Sequence, residues 1–208
     1  MDTQQIVVPS LQFPPALPVN LPEVFEAQVR CLMAYGIHGE VGIDGAKFLD
    51  DAMALAKEFT YSLEIADIGL NQVTLVHYGV RDRYLCEVAN VNIFADPDEF
   101  TLFPGVTVPE GFCIMQSQFG TKYKNRSPWS MRECHYALEQ LGVPKEGLTA
   151  FLYEPSLLRK SFMNFPGAVT LGSGVPCLDL RFDIPELGGG HPDRKDPHYG
   201  SVSVSRGG

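Results

Sequence analysis

The sequence predicts an α+β domain: two N-terminal helices, a mostly antiparallel sheet, and one capped helix inserted between strands. Three observations lead there. Apolar residues recur at helical spacing early in the chain and again after Ser127, whereas two-residue alternation dominates elsewhere from about residue 59. Links between the alternating segments are short, and parallel crossovers need a dozen or more residues. Polar residues on alternate positions also argue against a doubly wound parallel sheet, whose strands are buried on both faces. A chain of 208 residues, 45% hydrophobic and 20% charged, supports one well-buried core.

Residues 1–19 form a separate unit, a Pro-rich arm. Pro9, Pro14, Pro15 and Pro18 fix φ and remove donors, so the segment is extended. Its other residues include Val7, Val8, Leu11, Phe13 and Leu17, too apolar for a solvated linker, so packing on its own domain or a neighbour is expected. Residues 20–208 then make a single domain. Asn20, Pro22 and Glu23 signal a helix start, with Phe25, Val29, Leu32 and Met33 on one face up to about Gly36. A second helix begins near Asp44 and presents Phe48, Ala52, Leu55 and Phe59.

From Phe59 to Ala66 the two-residue period predicts a strand, with a continuing helix as the competing reading. Further strands are expected at Val73–Tyr78, Tyr84–Phe94 and Phe112–Phe119. Ser127 to Glu133 carries a capping box of Ser130 and Glu133, with Trp129 stapled onto Cys134. Met131, Cys134, Leu138 and Leu141 continue that helix as its buried stripe, and Gly142 with Pro144 ends it. Short segments at Ala150–Tyr153 and Ser156–Lys160 follow. A strand with one buried and one charged face runs from Leu178 to Ile184, and Ser201–Ser205 closes the sheet. Between them, Leu187–Gly200 reads as a long loop rich in Gly, His, Asp and Pro; loops of that length are functional or disordered.

A net charge of −9 lowers the expectation of nucleic acid or an anionic membrane as partner, since both need clustered cations. No apolar run approaches the ~20 residues of a membrane span, and the first ten residues do not read as a secretory signal. The five cysteines are scattered without a C-x-x-C pair, which points to a reducing compartment and a cytoplasmic protein.

Two clusters carry candidate chemistry. His191, Asp193, Asp196 and His198 all bear metal-ligating side chains in a loop stiffened by Pro192 and Pro197, against the alternative of an exposed turn. Lys122, Lys124 and Arg126 precede a helix start and form a candidate anion site. Cys177 follows a Gly-rich turn, but no sequence feature selects a base for it, and His135 beside Cys134 cannot form a dyad on a helix. No catalytic residues are assigned, and no cofactor is implied. Two functions are expected in order: a non-catalytic interaction or assembly protein, self-associating or binding a protein partner through the arm; then a small-molecule or anion binder, or hydrolase, using the 187–200 loop or the Lys/Arg cluster. A loop lying over Arg126, Arg181 or Cys177 favours the second.

Overall fold

The computed structural model describes residues 21–62, 73–133 and 139–206. In chain order the helices and strands are α1 (Leu21–Ala34), α2 (Ile37–Glu40), α3 (Gly45–Ser62), β1 (Val73–His77), α4 (Asp82–Val88), β2 (Asn92–Ile93), β3 (Thr101–Leu102), β4 (Phe112–Lys124), α5 (Pro128–Glu133), β5 (Gln140–Leu141), α6 (Pro144–Tyr153), α7 (Leu157–Lys160), β6 (Phe162–Asn164), β7 (Ala168–Val169), β8 (Val175–Arg181), β9 (Ile184–Gly190) and β10 (Tyr199–Arg206). The main sheet runs β1-β4-β10-β6-β8-β9-β2, with β5 also on β10, and β3 pairs β7 in a small second sheet. Pairing is mostly antiparallel, parallel where β10 meets β6 and β2 meets β9. The α+β class follows directly. No helix among the described residues is long and apolar enough to cross a membrane.

Both early helices form where their apolar stripes lie. Phe25, Val29 and Leu32 of α1 are buried. Asp44 caps α3, its carboxylate accepting from the Ala46 and Lys47 N–H groups at 2.9 and 3.3 Å. This helix runs on to Ser62, so the strand expected from Phe59 is corrected in favour of its alternative as far as the described residues go. The reason is tertiary: Phe59 packs edge-on against Phe25, ring centroids 5.9 Å apart, which only continued helix places within reach of α1. The arm and Asn20 lie outside the described residues.

The expected strand at Tyr84–Phe94 is instead α4 followed by the two residues of β2. Its buried residues Leu85 and Cys86 are adjacent in sequence, a spacing that no alternating strand accommodates on one face. Ser127, rather than Ser130, caps α5: its Oγ accepts from Ser130 N–H at 3.2 Å, and Pro128 sits first in the helix, where a missing N–H costs nothing. Glu133 accepts from Trp129 Nε1 at 2.8 Å instead of reaching back to a cap. Leu141 belongs to β5, and Pro144 begins α6 where a helix end was expected. Cys134, His135 and Leu138 lie outside the described residues.

The strand expected over Leu178–Ile184 is a hairpin. Phe182 and Asp183 have φ of 53° and 63°, the paired positive values of a type I′ turn, so β8 folds back as β9. The turn carries neither Asn nor Gly, which hid it. A two-residue turn makes Arg181–Ile184 the first hydrogen-bonded pair; Cys177–Gly188 and Asp179–Glu186 fall on the same phase, and the intervening pairs accommodate Pro176 and Pro185. Likewise Ser201–Ser205 does not close the sheet. Within β10 it has β4 on one side and β6, then β5, on the other, and Ser201, Val202, Ser203 and Val204 are all buried.

Edge strand β1 is buried along its whole length. Its outward backbone groups meet side chains instead of another strand: Gln28 of α1 donates to Val73 O and accepts from Leu75 N–H, both at 2.9 Å, and Tyr153 of α6 donates to Leu75 O at 2.6 Å.

Candidate functional site

Alternation along β8 sends Leu178 and Leu180 toward the core and Cys177, Asp179 and Arg181 to the other face of the sheet. Register extends that face into two rows. Ser201, Asn164, Cys177 and Gly188 are successive cross-strand partners; beside them Tyr199 pairs with Phe162, and Asp179 with Glu186. Because Gly188 and Gly190 have no side chains, space opens beside Cys177: a Cβ added at either would lie 3.9–4.0 Å from the Cys177 sulfur, ordinary van der Waals contact. The result is a cleft of about 130 Å³, over which the loop carrying His191, Arg194 and Asp196 lies.

Charge in the cleft is layered. Inside, the side chains of Glu186 and Asp196 are only 14% and 15% exposed; at the rim, those of Arg181 and Arg194 are 59% and 64% exposed. Arg194 pairs with Asp196 at 2.8 Å and lies over the Tyr199 ring, while Arg181 lies over Phe94. The Tyr199 hydroxyl donates to Asp179, and burial first, then that carboxylate, pushes its pKa up. The backbone N–H of His198, followed by Arg194, holds the Asp196 carboxyl below its usual range. Glu186 faces Arg181 at 3.6 Å, an ion pair too long for a hydrogen bond. Asn164 is 7% exposed, lines the cleft, and among the described residues its carboxamide has no hydrogen-bond partner.

Cys177 lies beneath these groups. Burial, and then the charges of Asp179 and Glu186, push its thiol up to about 12. At neutral pH it is a protonated, weakly nucleophilic group.

The structure distributes the four loop residues named as metal ligands. His191 and Asp196 line the cleft; Asp193 is two-thirds exposed and lies 3.9 Å from His191 Nδ1; the backbone N–H of His198 is bound by Asp196. Among the described residues, no group of three or more His, Cys, Asp or Glu is placed to hold a metal ion. Of the cationic trio, Lys122 and Arg126 come together at the Tyr123 ring, 5.1 and 5.8 Å from its centroid. Lys122 pairs with Glu139, Lys124 Nζ donates to Lys160 O at 2.7 Å, and Arg126 lies over the Tyr123 ring.

Sequence reasoning missed Asn164, Glu186, Arg194 and Tyr199. The alternation at Leu178–Arg181 marked the charged face, but only the turn at Phe182–Asp183 brings Glu186 onto it. The chain matches no family model, no curated protein and no solved structure.

Proposed function

We propose that this chain binds a small polar molecule in the cleft between the β8–β9 hairpin and the 191–198 loop. The observation that carries this reading is the buried Asn164 carboxamide, which faces the cleft without a hydrogen bond from any described residue. The carboxamide is open to the cleft, so a ligand group there can take the hydrogen bonds that no described residue makes with it. The loop beside Cys177 and Arg181 is the arrangement that favours ligand chemistry over assembly. Binding, not turnover, fits the site: Cys177 is held protonated, and His191 is largely exposed with its Nδ1 accepting from Asp193 N–H at 3.3 Å. Gly188→Val tests the reading, because Gly188 lines the cleft and a Cβ added there meets only side-chain atoms, Glu186 Oε1 at 3.8 Å and Cys177 Sγ at 4.0 Å. Native mass spectrometry and thermal melts against a panel of charged small solutes should show complexes with the wild-type chain that Gly188→Val loses. Equal responses from both proteins would sink it.

A second reading, assembly through residues 1–19, draws support from the exposed apolar tip of the hairpin. Phe182 is 91% exposed, and Phe94 and Ile184 are exposed beside it. Self-association, or a protein partner in the cytoplasm, would cover such a surface. Deleting residues 1–19 should lower the mass measured by light scattering; an unchanged monomer excludes self-association through the arm.

A further inference from the structure

We infer that the ligand of this cleft carries a protonated primary amine, which the floor takes, and an anionic far end, which the rim takes. The inference deepens the binding reading above and rests on it.

Register is the starting point. Asp179 and Glu186 are directly opposed on one face of an antiparallel hairpin. Like charges so placed destabilise the strand pair unless something offsets them. Asp179 has the Tyr199 hydroxyl, and Glu186 has Arg181 at 3.6 Å. Both carboxylates therefore retain acceptor capacity, on a floor where Glu186 is largely withdrawn from water. Asn164, in the adjacent row, lines the cleft, and its carboxamide, bonded to no described residue, offers an acceptor oxygen beside its NH2 donors. A primary ammonium has three N–H donors and no acceptor, the complement of two carboxylates and one amide oxygen. A divalent metal is the competing cation; among the described residues no group of three or more His, Cys, Asp or Glu is placed to hold one, and magnesium, which needs only one or two carboxylates, is therefore a probe in the test.

The rim has the opposite sign. Arg181 and Arg194 present exposed guanidiniums at the mouth, and guanidinium forks match carboxylates in a two-point geometry. A purely anionic ligand would meet these arginines but then confront three acids inside. A short zwitterion satisfies both layers.

Thermal melts of the full chain in γ-aminobutyrate, n-butylamine, n-butyrate and magnesium chloride, at matched ionic strength, test this. The expected order is γ-aminobutyrate above butylamine, with butyrate and magnesium no different from sodium chloride. A midpoint rise of about 5 °C or more is expected at a hundredfold excess over the dissociation constant. Glu186→Gln and Asp179→Asn should each weaken both amines about tenfold or more. Arg194→Gln, an exposed change that leaves the core intact, should weaken γ-aminobutyrate and spare butylamine. Stabilisation by butyrate alone, lost in Gly188→Val, would overturn the ammonium while leaving the cleft a binding site. Stabilisation by magnesium would replace the ammonium with a metal. No response to any probe, or γ-aminobutyrate binding unchanged in Arg194→Gln and Glu186→Gln, also overturns the inference.

Discussion

The two ends of the main sheet solve the same problem differently. At β1 the outward backbone is closed by Gln28 and Tyr153, and every residue of the strand is buried. At the other end, β9 is flanked by the two residues of β2, and its glycines line an open, charged cleft. An uncovered edge invites pairing with other chains, so edges are normally covered, charged or shortened. Here helix side chains cover one edge, while charge and a short flanking strand protect the other. The outward backbone groups of Val73 and Leu75 have their partners within the chain; in the cleft, the Asn164 carboxamide is bonded to no described residue. Paired backbone closes the structural end, and an open, charged face leaves the other end available to a ligand.

Breaking the β1 end should have the largest effect. Gln28→Leu leaves Val73 O and Leu75 N–H buried without their partner, a loss of about 2–4 kcal/mol. For a chain of this size that lowers the melting midpoint by about 5–15 °C. A calorimetric midpoint within a degree of wild type would mean that this edge is solvated after all. Tyr153→Phe removes one donor from Leu75 O and should cost about 1–2 kcal/mol, read from the shift in urea midpoint at unchanged slope.

The cleft should respond in the opposite sense. Gly188→Val is expected to cost less stability than Gln28→Leu while removing ligand-induced stabilisation. If it unfolds the chain as Gln28→Leu destabilises it, the two ends are not different in kind. The smallest effect is at Cys177, whose thiol at about 12 should resist iodoacetamide at pH 7.5 until the chain unfolds. Rapid native labelling there would contradict the placement of the sulfur. A sign follows for pH. Cys31 at about 11, and Cys86 and Cys177 at about 12, lie above their ordinary value of 9.0, so the folded chain holds protons the unfolded chain has released. Their contribution is fully present below pH 9 and falls as pH rises through 11 to 12, which alkaline denaturation curves measure.

Much of the fold was legible where pattern and packing agree. The stripe Phe25–Val29–Leu32 and the alternation Leu178–Asp179–Leu180–Arg181 encode their faces locally. Where they disagree, pattern misleads. Phe59–Ser62 alternates like a strand yet stays helical because Phe59 meets Phe25. Serines at 201 and 203 read as an exposed closing strand yet lie buried inside the sheet. The turn at Phe182–Asp183 lacks the Asn-Gly chemistry that announces a I′ hairpin, and the cleft depends on that turn. Of the clusters singled out by residue type, His191 and Asp196 reach the cleft and Lys122 and Arg126 share the Tyr123 ring, while Lys124 turns to Lys160 O.

By itself the sequence determined the class, the early helices, the charged face of β8 and the acidity of the chain, because these follow from local periodicity and composition. Only the tertiary structure decided which strands adjoin and which polar groups go unpartnered. Setting Asp179 against Glu186, Asn164 beside Cys177, and Ser201 beside Asn164 requires the register of strands up to 37 residues apart along the chain, and register is a property of pairing rather than of any one segment.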